Sequence, residues 1–188
     1  MQIHTRGRAL SRRKPPARTQ PQRSRNNPKR RLAEMPPVVA RTDLVGRCHY
    51  GPYAKHKYNP GAYRLKPYEG GDEERTYCDE HAKFGKADFA RIPDLLERGI
   101  MLGLWGEHSL GEDPAMLWTI DDNGWIYELR ITNAVQAEYH GYPVLEGDAF
   151  AQQVITRARR VASSPEDSGL QAVKNAQAAI AAAQAMYK

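Results

Sequence analysis

The chain has 188 residues, only two cysteines, a net charge of +6 and a mean hydropathy of −0.73, which suits one ordinary domain carrying polar tails. No apolar stretch approaches the ~18 residues that cross a bilayer, and the start lacks the apolar run of a secretory signal, so a cytoplasmic protein without a membrane span is expected. Phosphate-loop and dinucleotide fingerprints are absent, and no serine sits in a recognisable nucleophile turn, which removes any positive support for a kinase or serine hydrolase.

Residues 1–41 carry twelve Lys and Arg against the single acid Glu34, a charge of +11, whereas residues 42–188 carry sixteen against twenty-one, a charge of −5. Pro15, Pro16, Pro21, Pro28, Pro36 and Pro37 interrupt any helix, and large apolar residues are scarce. Such a segment cannot bury enough surface to offset its ordering entropy, so a disordered basic arm is expected. Arg12-Arg13-Lys14 and Lys29-Arg30-Arg31 concentrate its charge, marking these six residues as candidates for docking on DNA, RNA or a ribonucleoprotein. A solubilising tail and an organellar transit peptide are the competing readings.

Residues 42–86 hold both cysteines. Cys48 lies on an expected extended segment, and Cys78-Asp79-Glu80-His81 spaces a thiol and an imidazole three apart on the first turn of a short helix. Zinc favours such ligands, so Cys48, His56, Cys78 and His81 form a candidate zinc site, with His49 the reserve for His56 because its neighbour Cys48 would strain it. Four protein ligands make the site structural; three would leave room for a water and for a nearby carboxylate among Glu73, Glu74, Asp79 and Glu80. A disulfide between Cys48 and Cys78 is the rival. Tyr50, Tyr53, Tyr58, Tyr63, Tyr68 and Tyr77 interleave with Lys55, Lys57, Arg64 and Lys66, a pattern that either stacks bases and pairs phosphates or fills a small core. The knuckle followed by a helix-borne pair resembles a treble-clef zinc domain over residues 47–85, although the Cys-x-x-Cys knuckle is missing. Treble clefs serve many functions, so the resemblance implies a binding module and no reaction.

Residues 87–162 are expected to form an α+β core. Phe89, Ile92, Leu95 and Leu96 are spaced for one face of a helix over 88–102. Residues 116–120 and 125–132 read as a hairpin around Asp121-Asp122-Asn123-Gly124, and a two-residue Asn-Gly turn sets Asp122 opposite Trp125. That register puts Trp118 against Leu129 on an apolar face and leaves Glu128 and Arg130 opposite Thr119 and Leu117 on the other. Residues 138–144 read as a turn or an edge strand. Phe150, Val154, Ile155, Ala158 and Val161 define a helix over 148–162. Residues 163–188 are expected to be one Ala-rich helix capped by Ser164 with Pro165 at its first position, packing on a neighbour or on a second chain.

Glu128, Arg130 and His140 are the candidate catalytic residues. A metal-free ribonuclease needs a base, an acid and a cation for the phosphorane, and Glu, His and Arg supply them. The Tyr127-Glu128-Leu129-Arg130-Ile131 run resembles a strand of small bacterial toxin ribonucleases of the RelE type. It spans five residues, and the chain after Ile131 departs from the family's basic strand, so no role carries over. The ordinary reading of the pair is a solvent-facing ion pair. Abundant Arg and Ala fit a GC-rich bacterium or its phage. The expected function is a nucleic-acid- or ribonucleoprotein-associated zinc protein acting by binding, with a toxin-type ribonuclease and a module that targets a host protein as alternatives.

Overall fold

A computed structural model describes residues 30–70 and 75–188. Arg12, Arg13, Lys14 and Lys29 of the expected arm, and the acids Glu73 and Glu74, lie outside the described residues. The fold is α+β. Helices α1 (Val38–Arg47), α2 (Cys78–His81), α3 (Ile92–Met101), α4 (Phe150–Ala162), α5 (Gln171–Asn175) and α6 (Gln177–Met186) surround a four-stranded sheet. The strands are β1 (His49–Tyr50), β4 (Met116–Ile120), β5 (Ile126–Asn133) and β6 (Glu138–Pro143), in the order β1-β6-β5-β4; β2 (Ser109–Leu110) and β3 (Asp113–Pro114) form a separate two-stranded ribbon. All pairings in the main sheet are antiparallel except β1 with β6.

Both faces of the sheet are covered, because successive strand residues point to opposite sides. Leu117, Tyr127, Leu129 and Tyr139 pack with Leu44, Ile92, Leu95 and Leu96 of α1 and α3. Trp118, Ile120 and Ile126 pack with Phe150, Val154, Ile155, Ile180 and Ala183 of α4 and α6. The small residues of α6 thus meet α4 within the same chain. Tyr187 closes this layer by donating its hydroxyl to the Val144 carbonyl at 2.7 Å. Gly99 lets α3 approach β4 so closely that an added Cβ would lie 2.2 Å from the Trp118 carbonyl oxygen.

Several sequence expectations change. The hairpin turns through three residues: Asp121 pairs with Trp125, and Gly124 takes φ +89°. The Asp121 carboxylate accepts from the amides of Asn123 and Trp125 at 2.9 Å each, which favours the wider loop over the two-residue turn. The register therefore moves by one residue, Trp118 faces Glu128 and Met116 faces Arg130, and the pair expected in solvent enters the core side. Residues 138–143, expected as a turn or edge, form the interior strand β6.

Helix α1 crosses the 41/42 boundary drawn from composition. Its Arg41 is buried, giving one bond to the Met101 carbonyl at 2.6 Å and one to Asp167 at 2.5 Å. The Ala-rich segment begins as a helix only at Gln171, because the Ser164 carbonyl closes a turn by accepting from the Asp167 and Ser168 amides and Asp167 is drawn to Arg41. The helix expected over 88–102 starts with a 3₁₀ stretch, Lys86–Arg91, before α3.

Candidate functional site

Residues 31–33 are stitched to the edge of the sheet. The Arg31 carbonyl accepts from the Glu107 amide at 2.9 Å, and the Ala33 amide donates to the Trp105 carbonyl at 3.0 Å. This attachment brings the root of the basic arm over the face of the sheet that carries Trp118, Glu128, Arg130, His140 and Tyr142. The five share one face because Glu128 pairs with Trp118 and Tyr142 across the two ladders, and Arg130 pairs with His140.

At the centre Glu128 is fully buried and every contact it makes is with a donor. Arg30 Nε stands 2.5 Å from Oε2, an ion pair off the ideal hydrogen-bond line, while the other end of Arg30 reaches Asp148 at 2.6 Å. Arg130 donates to Oε1 from Nε at 3.0 Å and from Nη2 at 2.8 Å. The Tyr142 hydroxyl donates a short bond to the same oxygen, and Trp118 Nε1 lies 3.4 Å from Oε2. Burial alone would raise the Glu128 carboxyl, but Arg30, the Tyr142 hydroxyl and Arg130 outweigh it and hold the group below the ordinary carboxylate value. Burial and the neighbouring Glu128 push Tyr142 up, so the phenol remains the donor.

Two of the candidate residues thus lie away from solvent. Glu128, a candidate catalytic residue, has no exposed surface, and its carboxylate faces two guanidiniums. Arg30, expected to bind phosphate, is a buried anchor with 9% of its side chain exposed. Arg31 keeps 74% of its side chain exposed, with Nη1 4.0 Å from Glu107.

Arg130 leaves Nη1 without a hydrogen bond among the described residues, and its side chain is 36% exposed. It opens on a groove of about 550 Å³ shared with Arg31, Glu107, His108 and Met116. A second groove of about 600 Å³ also borders Arg31 and is lined by Glu34, Glu107 and, from α4, Gln152, Arg157 and Arg160. Opposite Arg130, His140 Nδ1 meets the Thr132 hydroxyl at 3.0 Å. Burial, then Arg130 and Lys55, lower the His140 imidazole to about 4, so the ring is neutral at pH 7.

The four residues expected to ligate zinc each have a different local partner. Cys48 ends α1, where burial and then Asp113 push its thiol up to about 11. Cys78 opens α2, donates to the Gly141 carbonyl at 3.3 Å, and is likewise pushed up to about 11 by burial. His56 is buried with Nδ1 3.1 Å from the Thr76 carbonyl, and its ring stacks on Tyr142. His81 Nε2 sits 3.9 Å from Glu80, and the reserve His49 sits 3.9 Å from Glu138. Among the described residues no group of three or more His, Cys, Asp or Glu is arranged to hold a metal ion. Both cysteines are free thiols. No helix among the described residues is long and apolar enough to cross a membrane.

The structure thus joins Glu128, Arg130 and His140, as their alternation on adjacent strands allowed, with Glu128 buried and paired to Arg130. Tyr142, Trp118 and Asp148 were not foreseen. The period-two spacing of His140 and Tyr142 was a usable signal for the first; nothing local pointed to the other two. Comparison with protein-family models, with curated proteins and with solved structures yields no match to this chain.

Proposed function

We propose that this protein binds nucleic acid through its cationic arm and the groove in which that arm is rooted. The carrying observation is the burial of Arg30 between Glu128 and Asp148, beside the exposed Arg31 and the open Nη1 of Arg130. Nine further Lys and Arg precede Arg30, with no acid among them. Each cation placed near a phosphate releases condensed counterions, so an arm fixed at one end next to a basic groove is suited to a polyanion. The Glu128 carboxylate fixes the Arg130 guanidinium in one orientation, which lowers the entropy lost when an anion docks.

Fluorescence anisotropy with a labelled oligonucleotide over a salt series tests this reading. The full chain should show a steep log–log slope, about 0.7 to 0.9 per phosphate neutralised, and removal of residues 1–29 should flatten it by several such increments. Arg31→Ala should flatten it further by about one phosphate contact. Binding that ignores salt, or that survives loss of residues 1–29 unchanged, would refute it. The deletion must stop before Arg30, since that residue belongs to the fold.

A second reading, metal-free RNA cleavage, is favoured by one observation: Arg130 and His140 stand opposite one another across β5 and β6. Here the neutral His140 takes the proton of the attacking 2′-hydroxyl as its oxygen bonds to phosphorus, Arg130 stabilises the phosphorane, Glu128 positions Arg130, and the P–O5′ bond breaks as the leaving oxygen takes a proton from solvent water, the imidazolium then releasing its own. Incubation with single-stranded RNA, with His140→Ala as the control, decides it; intact RNA after exposure to the parent protein removes it.

A further inference from the structure

Beyond Arg130 the sheet face continues as a ladder of rings. Tyr142 lies on His56 with centroids 4.5 Å apart, His56 on His140 at 5.3 Å, His140 on Tyr53 at 4.8 Å, and Tyr53 on Tyr68 at 5.7 Å. The inner rings, His56 and Tyr142, are buried, while His140, Tyr53 and Tyr68 are half-buried. Tyr53 and Tyr68 belong to neither apolar core cluster, so the cores do not account for them. Cations border both ends. Arg130 Nε is 3.1 Å from the Tyr142 hydroxyl, and at the far end Arg75 and Lys55 lie over the Tyr68 ring at 4.6 and 5.8 Å.

We propose that the outer rungs, Tyr53 and His140, are a stacking platform for the bases of a single-stranded nucleic acid whose phosphates follow Arg130 and Arg31. This rests on the nucleic-acid reading and narrows it to one strand state. Rings offered beside cations along a strip match an unpaired strand, which presents base faces and phosphates together; a duplex keeps its base faces internal. The neutral state of His140 at pH 7 suits stacking better than ion pairing. Tyr53 and His140 meet edge to face, 62° between planes, and both stay half-buried, so each keeps part of its ring surface at the protein surface.

The test uses the full chain and three probes at fixed salt: a single-stranded oligonucleotide of about 12 nucleotides, in RNA and DNA forms, the matching duplex, and heparin, a polyanion without bases. The parent should prefer the single strand over the duplex. Tyr53→Ala should weaken single-strand binding about 5- to 150-fold, the range for losing one stacked base, leave heparin within twofold, and Tyr53→Phe should restore the strand. In the unmodified protein, the His140 ring protons should shift upfield in NMR when the oligonucleotide is added and stay in place with heparin. Equal loss of strand and heparin, no preference for the single strand, or an unmoved His140 signal would overturn the inference. If heparin and both nucleic acids all fail to bind, the broader reading falls instead.

Discussion

Replacing Glu128 by Gln removes one negative charge from a position with no solvent exposure while leaving the two guanidiniums it faces. The amide keeps one acceptor but turns a donor toward Arg30 or toward Arg130 and the Tyr142 hydroxyl. Breaking a buried ion pair by removing one partner costs about 3–5 kcal/mol, since the other charge stays behind desolvated. Arg30 retains Asp148 at 2.6 Å, and Arg130, with 36% of its side chain exposed, can recover some water. The lower end applies, about 3 kcal/mol, which for a chain of this size lowers Tm by roughly 6–12 °C. Urea denaturation followed by tryptophan fluorescence measures it, with Trp118 beside the substituted carboxylate as a built-in reporter. Arg30→Met should also destabilise, and the double variant should be more stable than the sum of the singles predicts, by about 0.5–3 kcal/mol of coupling. The carboxyl is held low in the fold, so its contribution is present above the ordinary value of 4.5 and is lost as pH falls below it. Glu128→Gln should flatten that acid limb. A variant within about 1 kcal/mol of the parent, or one with an unchanged acid limb, would show that Glu128 is not the charged hub described here.

Three further outcomes follow from the geometry. The His140 ring, observed by NMR, should titrate near pH 4, and because the unfolded ring takes up its proton near 6.5, stability should fall as pH drops from about 6.5 toward 4; a midpoint above 6 would contradict its burial. Gly124→Ala forces a side chain onto φ +89° and places its Cβ 2.6 Å from the Ala182 backbone, so α6 must move, costing about 1–3 kcal/mol in chemical denaturation; an unchanged midpoint would refute the packing. Arg41→Met strands Asp167, which is 6% exposed, and should cost about 3–5 kcal/mol, partly recovered by adding Asp167→Asn; equal stability of parent and single variant would refute the buried pair.

Several elements were legible from local pattern. The apolar spacing of Leu95, Leu96, Val154, Ile155 and Ala158 marks α3 and α4, the Cys78–His81 turn was expected as a short helix, and the hairpin strands were found to within a residue. Its register was not, because an Asn-Gly pair is compatible with a two- or a three-residue loop, and the choice fell to the Asp121 carboxylate and to which face of β5 the helices α4 and α6 would cover. A slip of one residue inverts every side chain, and this one turns Glu128 from a surface residue into a buried hub.

Helix α1 was missed for a related reason. Its apolar residues follow a run of prolines and arginines and bury only Leu44 fully, and Arg41 ties it across 126 positions to Asp167. Likewise Arg30 reads as one more cation of a basic arm until Asp148, 118 residues away, takes its guanidinium. Sequence by itself determined the segregation of charge, the α+β class and the periodicity of the longer elements, since these depend on composition and on neighbours a few residues apart. Only the tertiary structure decided which described cations are buried anchors and which stay exposed, because that depends on desolvation by residues distant in the chain.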